Sequence, residues 1–429
     1  MAYNAIMTNQ PLIIDGARTP FMRSGGKFND LSSRELGNFA VNGLLNKLDL
    51  EPSNVQYACM GTVIADPDTP NVAREIVLMG LLSQATPAHT VSMACISSNI
   101  ATTTIAEMIR SGHILCGIAG GVETFSDIPI RFSKNLRQVL LHIKKKKTLA
   151  GKLKLLSHLH LGDLKPDIPS PKEFSTGFTM GEAGDQLAAQ FGISRKDADT
   201  YALESHRRAA DAWLAGHYKD QVIPIASHDA TKDDGPRPDS TPDMLARLHP
   251  AFDRFGVNTA ANSSFFSDGG SAIMLGSRAF CQQQGIHALA SIKDYIYSGS
   301  DPLSELLLGP ALTVPYLLKR NDLKVSDIDV WEIHEAFAGQ VLAILKAMSS
   351  ADFCQKRLGL DQPLSDIPMD LINRWGGSLS LGHPFGATGT RLILTAAQRL
   401  VAEDGKLAVV TGCAASGLGS AILLARVNS

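Results

Sequence analysis

Short apolar runs alternate along the chain with longer stretches in which apolar residues recur at helical spacing. The runs PLIIDGA (11–17), HTVSMA (89–94) and KLAVVTG (406–412) have the pattern of strands. Their almost unbroken hydrophobicity suits a sheet that is covered on both faces. The stretch IATTTIAEMIR (100–110) has the apolar repeat of a helix. Strands that alternate with helices in this way predict an α/β architecture.

The chain contains an internal duplication. GSAIMLG (270–276) parallels GSAILLA (419–425), and LDLEPSNVQYACM (48–60) parallels NDLKVSDIDVWEI (321–333). In the second pair a helix ends, a short serine-containing turn follows, and a strand begins. Because the similarity occurs once, it indicates two related halves and not a solenoid of many repeats.

An insertion interrupts the first of the two halves, because one of its connections is far longer than the matching connection in the second half. We therefore expect an N-terminal half over residues 1–280 that includes a loop domain over about 126–255, and a C-terminal half over residues 285–429. Ligands of such folds bind outside the C-terminal ends of the strands. The inserted unit would lie over that edge.

Composition limits the classes of function. Of the 429 residues, 44% are hydrophobic and 19% are charged, and the net charge of -2 gives no general electrostatic reason to bind nucleic acid. The six cysteines form no C-x-x-C pair, which fits a reducing compartment without a disulfide framework. No apolar run approaches the roughly 18 residues of a membrane span, and MAYNAIMTNQ lacks the pattern of a signal peptide. The sequence therefore predicts a globular, cytoplasmic protein.

Cys95 is the first candidate for chemistry. It lies where the strand HTVSMA gives way to a helix, and the unpaired N–H groups and partial positive charge of a helix N-terminus favour a thiolate. The duplication sets this turn opposite GHPFGATGTR (382–391), which contains His383. Equivalent turns of related halves can meet at their interface, and a Cys–His pair activates a thiol by proton removal. A buried cysteine and a structural histidine are the alternative interpretations.

Further polar side chains follow two other predicted strands. His334 and Glu335 come directly after DIDVWEI, and Cys413 follows KLAVVTG in a stretch of small residues that would let a substrate approach. Two cysteines and two histidines also raise the question of zinc. The four candidates lie in four separate loops, without the short spacing that usually places metal ligands, so we predict no metal site.

Four segments resemble the signatures of the thiolase family. They are MACISSNIA, HEAF, NRWGGSLSLGHPFGATGTR and GCAASGLGSA, in the family's order, and the resemblance runs from LIIDGARTPF (12–21) to the C-terminus. The resemblance implies a duplicated α/β fold with five layers, αβαβα, and an inserted loop domain. It also implies coenzyme A thioesters as substrates, an acyl-cysteine intermediate, and no metal or redox cofactor.

The resemblance implies a role for each candidate. Cys95 matches the nucleophile that becomes acylated, His383 the base that activates it, and Cys413 the second acid/base. His334 lies where many thiolases have an asparagine that holds a water in the first oxyanion hole. The backbone N–H groups of Cys95 and Ala415 match the second oxyanion hole, although the family usually has glycine in place of Ala415. A backbone donor survives this change if φ is negative there.

Three more segments have binding roles by resemblance. TAANSSFFSDG resembles the pantetheine loop, which makes Ser264 a candidate substrate contact. FTMGEAGDQLA resembles the segment whose methionine, here Met180, lines the acyl pocket. NVAR resembles a stretch near the dimer interface, where Arg74 could instead form a surface ion pair.

Residues 131–172 form a basic segment with eleven Lys or Arg and two Asp. Apolar residues recur on one helical face at Leu136, Val139, Leu140 and Ile143, and a second amphipathic helix is indicated by leucines at 149, 153 and 156. A solvated face with a docking stripe is one interpretation. Binding to an anionic membrane surface, or to a partner subunit, is the other.

These observations predict a degradative 3-ketoacyl-CoA thiolase of fatty-acid β-oxidation, an acyltransferase that acts on long acyl chains. The H-E-A-F form resembles the β-subunit type of the fatty-acid trifunctional enzyme, which implies a homodimeric core assembled with a hydratase/dehydrogenase α-subunit as α2β2. A short-chain, biosynthetic acetoacetyl-CoA thiolase is the nearest alternative. Cys413 argues against a ketoacyl synthase, and the intact candidate residues argue against a non-catalytic lipid-binding or scaffold protein.

Overall fold

The computed structural model describes residues 9–170 and 172–427. Residues 1–8, Pro171 and residues 428–429, which belong to the expected halves and the basic segment, lie outside the described residues. Within the described ranges, none of the helices combines the length and the hydrophobicity that a membrane crossing requires. All six cysteines lie in these ranges and are free thiols.

Helices and strands alternate through both halves. The helices are α1 (Ser33–Leu48), α2 (Val72–Met79), α3 (Ser97–Arg110), α4 (Lys134–Ile143), α5 (Leu149–Leu156), α6 (Met180–Gln190), α7 (Arg195–Leu214), α8 (Pro242–Ala246), α9 (Arg278–Gln284), α10 (Gly309–Arg320), α11 (Ala338–Met348), α12 (Ala351–Leu358), α13 (Ser378–Leu381) and α14 (Thr388–Ala402). The strands are β1 (Pro11–Arg18), β2 (Met22–Arg23), β3 (Ala58–Gly61), β4 (Ala88–Val91), β5 (Cys116–Glu123), β6 (Arg131–Phe132), β7 (Pro166–Asp167), β8 (Ser267–Ser277), β9 (Ala290–Gly299), β10 (Val330–Ile333), β11 (Leu407–Ala414) and β12 (Leu418–Arg426).

The two halves repeat one pattern of strand pairing. In the first half β3 lies parallel to β4 and β5, β5 is antiparallel to β8, and β8 is antiparallel to β1. In the second half β10 lies parallel to β11, β11 is antiparallel to β12, and β12 is antiparallel to β9. A short antiparallel pairing of β1 with β9 joins the halves. The same order of strand pairing in both halves agrees with the duplication that the sequence predicts.

Helices α3 and α14 lie at the centre of the molecule. They pack against each other, and each also contacts strands of its own half. On the outer faces, α1 and α2 cover the first set of strands, and α10 covers the second set with α11 packed against it. The result is the five-layered αβαβα arrangement, so the expected fold class is confirmed.

The backbones of the two halves touch next to the turn that contains His383. A Cβ atom on Gly121 would lie 1.8 Å from the carbonyl oxygen of Gly386, and a Cβ atom on Gly386 would lie 2.4 Å from the carbonyl oxygen of Val122. A side chain at either position would force the halves apart. These glycines therefore let the second half bring His383 close to the first.

The long connection between β5 and β8 contains α4 to α8. In its basic part, Leu136 and Val139 of α4 are buried, but Leu140 is 42% exposed, and Leu149, Leu153 and Leu156 of α5 are also exposed. Helix α4 packs against α5 and a short turn, and exposure of Leu140 leaves both interpretations of its apolar face, a docking stripe or a membrane- or partner-binding surface, as predictions. Further along the connection, α6 packs on α11, and α7 packs on α11 and α13.

Candidate active site

Cys95 lies in a tight turn between β4 and α3. The preceding residue, Ala94, has a φ of 46°, a left-handed conformation that residues with a Cβ rarely adopt. The Ser97 hydroxyl holds this turn, because it accepts a hydrogen bond from the N–H of Met93 at 2.8 Å and donates to the carbonyl of Ala94 at 2.6 Å. The turn leaves Cys95 partly exposed near the carboxyl end of β4.

His383 lies in the turn that precedes α14. Gly382, before it, has a φ of 108°, which favours glycine. The His383 N–H donates to Ser267 Oγ at 3.0 Å, and its ring nitrogen Nδ1 lies 2.7 Å from Thr388 Oγ1. The other ring nitrogen, Nε2, is buried and has no hydrogen-bond partner among the described residues. The backbone turn and the hydroxyl therefore aim Nε2 into the site.

His334 follows β10, and its side chain lies close to those of Cys95 and His383. Its N–H donates to the carbonyl of Thr411 at 2.8 Å, and its Nδ1 lies 3.0 Å from Ser378 Oγ. Its Nε2 is buried and, within the described part of the chain, unpaired. The two imidazole centroids are 4.2 Å apart. The Cys95 sulfur and one nitrogen of each imidazole lie within 4.8 Å of one another.

The end of β11 completes the site. Cys413 is buried close enough to Cys95 for a thiolate there to raise the pKa of the Cys413 thiol, although burial is the larger cause. The backbone N–H of Ala415 lies close enough to the Cys95 sulfur to lower the pKa of that thiol. The left-handed conformation falls on the next residue, Ser416, with a φ of 65°, and not on Ala415. Alanine is therefore compatible with the backbone here.

The electrostatics of the site keep both the nucleophile and the histidines neutral. Burial raises the pKa of Cys95 to about 12, although the N–H of Ala415 lowers it. Burial lowers the pKa of His334 to about 3. Burial is also the main reason why the pKa of His383 lies well below its usual value, and repulsion from a positive charge on His334 or Arg391 adds to this effect. Burial opposes the thiolate that the helix N-terminus favours, so the expectation of a thiolate at Cys95 stays a prediction.

The three converging side chains also form a group that could ligate a metal ion. Nothing in their geometry calls for one, since each histidine is oriented by a hydroxyl and not by a carboxylate or carbonyl partner. That the site holds no metal stays a prediction.

The sequence of this chain matches the models of a known protein family. Residues 12–279 match the family described as "Thiolase, N-terminal domain", and residues 286–426 match "Thiolase, C-terminal domain". The chain belongs to the thiolase family. The resemblance inferred from the four sequence segments is thereby confirmed.

Relatives of this thiolase include well-covered matches in animals and bacteria. "Trifunctional enzyme subunit beta, mitochondrial" of Mus musculus is 46% identical over 417 residues, which cover 96% of this chain and 87% of that protein. "3-ketoacyl-CoA thiolase" of Yersinia enterocolitica is 39% identical and covers 96% of each chain. The crystal structure of human mitochondrial 3-ketoacyl-CoA thiolase in complex with CoA matches with a TM-score of 0.82 and 27% identity, over 98% of this chain and 99% of that one.

The remaining sequence-predicted residues lie at different distances from this site in the thiolase. Ser264 is half-buried beside the HEAF segment, and its N–H donates to the carbonyl of Ala336 at 2.9 Å. Met180 begins α6 and packs on the apolar cluster that includes Cys413. Arg74 forms no ion pair among the described residues, and its place near a dimer interface stays a prediction. It donates to the carbonyls of Gln84 and Thr86 at 2.9 and 2.8 Å, in the loop that leads to β4.

Buried carboxylates are the part of the site that sequence reasoning missed. Glu335 of the HEAF segment accepts hydrogen bonds from four groups: Tyr201 Oη, Ser205 Oγ, Asn373 Nδ2 and the N–H of Leu379. It thereby ties the inserted connection to the segment that contains His383. Its place beside His334 in the sequence was the available signal, but its partners come from distant segments.

Glu123 and Glu173 lie on the other side of Cys95. Glu123, at the end of β5, is buried and accepts from the N–H of Gly386 at 3.0 Å, and burial raises its pKa to about 7. Glu173, in the inserted connection, accepts from the N–H of Ser416 at 2.8 Å. Both carboxylates raise the pKa of Cys95. No sequence pattern marked either one, because each acts through a contact between segments that are far apart in the chain.

Proposed function

We propose that this thiolase is a 3-ketoacyl-CoA thiolase, acetyl-CoA C-acyltransferase, of fatty-acid β-oxidation. The observation that carries the proposal is the convergence of the Cys95 sulfur with one ring nitrogen each of His334 and His383, beside a second thiol, Cys413. A nucleophile, a neutral base and a separate acid are what cleavage of a carbon–carbon bond next to a thioester requires.

The first half of the reaction makes an acyl-enzyme. His383 takes the proton of the Cys95 thiol, and the sulfur attacks the 3-keto carbon of the substrate. Because the thiol pKa is about 12, this proton transfer accompanies the attack and no standing thiolate is needed. The bond between Cα and Cβ breaks, and its electron pair leaves with the acetyl-CoA enolate. Cys413 then donates its proton to the enolate carbon, which releases acetyl-CoA.

Two groups of hydrogen-bond donors match the charges that develop. The backbone N–H groups of Cys95 and Ala415, which both lie against the Cys95 sulfur, are suited to the oxyanion of the tetrahedral intermediate on that sulfur. His334 faces the position of the leaving enolate oxygen, where many thiolases use a water held by asparagine. Donors that are fixed in a buried site stabilise such charges strongly.

The second half transfers the acyl group to coenzyme A. The Cys413 thiolate takes the proton of the CoA thiol, and the CoA sulfur attacks the acyl carbon on Cys95. The Cys95 sulfur leaves and regains its proton from His383, which restores the resting site. The products are acetyl-CoA and an acyl-CoA shortened by two carbons. Coenzyme A acts as a substrate, and we propose no further cofactor.

A cavity next to the HEAF segment supports binding of coenzyme A. It has a volume of about 180 Å³ and its lining includes Arg23, Arg237, Ser263, Phe265 and Met244. Burial lowers the pKa of His206, which also lines the cavity, and the positive charges of the two arginines lower it further, to about 4. Such an electropositive, partly apolar pocket suits the phosphates and adenine of coenzyme A. Ser264 and Met180 are proposed contacts of the pantetheine and the acyl chain.

The preference for long acyl chains rests on the relatives. The mouse protein is named as a trifunctional enzyme β subunit, and the H-E-A-F form of this thiolase resembles that type. The alternative, a short-chain acetoacetyl-CoA thiolase, uses the same residues in the reverse direction. The name of the mouse relative places that protein in the mitochondrion, so the cytoplasmic location expected from the sequence stays a prediction.

We propose two interfaces for assembly. The strand β4 is at the edge of its sheet, and Leu78, Met79 and Leu81 nearby are exposed, which suits a homodimer that continues the sheet. The basic segment exposes large apolar residues as well as lysines; they include Phe132, Leu141, Leu149, Leu161 and Leu164. This surface suits a membrane or the α-subunit of an α2β2 assembly.

A thiolysis assay tests the proposed activity. Wild type and Cys95→Ala are mixed with coenzyme A and either 3-ketohexadecanoyl-CoA or acetoacetyl-CoA. The proposal predicts turnover of the long substrate that Cys95→Ala abolishes. Turnover of acetoacetyl-CoA alone would move the function to the short-chain alternative, and turnover of neither would favour a non-catalytic role.

A further inference from the structure

In both histidines of the site, Nε2 is the buried ring nitrogen that has no hydrogen-bond partner among the described residues. The proposed reaction needs opposite roles from these two atoms, because His334 must donate a hydrogen bond and His383 must accept a proton. A neutral imidazole carries a hydrogen on one ring nitrogen and a lone pair on the other. Both rings are almost fully buried, and each binds one hydroxyl group through Nδ1. The hydroxyl partner therefore decides whether Nε2 donates or accepts a hydrogen bond.

The hydroxyl group of Ser378 donates its hydrogen bond to His334. The Ser378 Oγ accepts a hydrogen bond from Arg391 Nη2 at 2.7 Å, and an arginine nitrogen can only donate. Within the described residues, the one remaining partner of this oxygen is His334 Nδ1 at 3.0 Å. The serine hydrogen therefore points to Nδ1, which accepts it. The ring hydrogen of His334 then lies on Nε2, as a donor toward the pocket.

Thr388 has the opposite arrangement. Its hydroxyl donates to the carbonyl of Pro384 at 3.0 Å, one helical turn back, so its single hydrogen is used. The same oxygen lies 2.7 Å from His383 Nδ1 and can only accept there. The ring hydrogen of His383 is therefore on Nδ1, and its Nε2 offers a lone pair.

We propose that Ser378 and Thr388 are positioning residues that hold the two histidines in opposite tautomers. His334 is thereby fixed as a hydrogen-bond donor to the enolate oxygen, and His383 as the acceptor of the Cys95 proton. The proposal rests on the proposed thiolase activity. A histidine in this position can donate from Nε2 or accept there, according to its tautomer, and a hydroxyl that donates to Nδ1 fixes the donating form.

The buried charges below the site agree with this assignment. Arg391, which holds Ser378, is fully buried and lies 4.0 Å from the carboxylate of Glu332, itself paired with Arg399 at 2.8 Å. A fixed cation behind Ser378 keeps the serine oxygen accepting from that side. It also disfavours protonation of His334, so the ring stays neutral and its tautomer matters.

A double-mutant cycle tests the role of Ser378. Ser378→Ala is expected to lower kcat by about tenfold or more, with little change in KM. Complete loss of one oxyanion donor typically lowers kcat by about a hundredfold or more, and a misoriented donor should lose part of that effect. In a His334→Asn background the same substitution should cost far less, since an amide has no tautomer to fix. Equal losses in both backgrounds would overturn the proposal, because a general packing role predicts them.

Thr388 provides the second arm, with a matched pair. Thr388→Val keeps the shape and removes the hydroxyl, and should lower kcat; Thr388→Ser keeps the hydroxyl and should restore it. Unfolding curves of the wild type and the two Thr388 variants check that all three are folded. A Thr388→Val enzyme with the kcat of the wild type would contradict the role.

Nuclear magnetic resonance of ¹⁵N-histidine protein decides the tautomers without any assay, so its outcome is separate from that of the proposed activity. His334→Asn and His383→Asn assign the two ring signals. The proposal predicts a protonated Nε2 in His334 and a protonated Nδ1 in His383, with Ser378→Ala altering His334 alone. The same tautomer in both rings would overturn the proposal, whereas failure of wild type to cleave any 3-ketoacyl-CoA would contradict the activity.

Discussion

The backbone N–H of Ala415 lies close enough to the sulfur of Cys95 to lower the pKa of its thiol, although the two residues come from opposite halves of the chain. The contact forms because two strand-end turns of a duplicated fold meet where the glycines of both halves allow the backbones to touch. It places a fixed donor beside a buried thiol. The donor lowers the pKa of that thiol, but burial and two nearby carboxylates hold it at about 12.

The raised thiol pKa predicts how Cys95 reacts with iodoacetamide. A raised pKa keeps the thiol protonated over a wider pH range, so the reactive thiolate becomes more abundant as pH rises. Between pH 6 and pH 9 the alkylation rate of the Cys95 peptide, followed by mass spectrometry, should rise about tenfold per pH unit without levelling off. A plateau over this range would mean a standing thiolate–imidazolium pair and would contradict the neutral site.

Substitution of His334 tests the proposed donor to the enolate. His334→Ala removes the donor and should slow turnover by about a hundredfold or more, as loss of one oxyanion donor does elsewhere. His334→Asn supplies an amide donor and should retain more activity than the alanine variant. Steady-state thiolysis gives both values. Near-normal turnover by His334→Ala would rule out the role.

The contact between the halves predicts a stability effect at Gly386. Gly386→Ala would place a methyl group 2.4 Å from the carbonyl oxygen of Val122, and such overpacking typically costs about 1–3 kcal/mol of unfolding free energy. Gly162→Ala is the control, because its Cβ atom would have no neighbour within 4 Å. Urea unfolding measures both variants. Equal midpoints for the two would show that the halves can separate at this point without cost.

The basic segment predicts binding to anionic membranes. Changing Lys144, Lys145, Lys146 and Lys147 to Gln should weaken co-sedimentation with phosphatidylserine liposomes, since each lysine near the surface contributes ~1 kcal/mol. Changing the exposed Leu141 and Leu149 to Asn tests the apolar contribution separately. Unchanged binding in both variants would favour a partner subunit as the occupant of this surface.

Local pattern was sufficient to predict an α/β architecture and the turns that hold the candidate residues, whereas the five layers were implied by the resemblance to the thiolase family. Apolar runs identified the buried strands, and the duplication indicated that the turns of Cys95 and His383 would face each other. Patterns of single segments could not reveal the hydrogen bonds between distant segments. Glu335, Glu173 and Ser378 act through partners that only the folded chain brings near.

The sign of the electrostatic effect at Cys95 was also beyond the sequence. A helix N-terminus is visible as a pattern, and it favours a thiolate. The depth of burial and the carboxylates of Glu123 and Glu173 are properties of packing, and they raise the pKa instead. The same packing lowers the pKa of His383, which keeps its imidazole neutral.

The central claim is that Cys95 carries the acyl group between the two half-reactions. The most direct measurement mixes the wild-type protein with 3-ketohexadecanoyl-CoA in the absence of coenzyme A and analyses the peptides by mass spectrometry. The account predicts a tetradecanoyl thioester on Cys95 and release of one equivalent of acetyl-CoA per site. Acetyl-CoA release without an adduct on Cys95, or an acyl group carried by another residue, would contradict it.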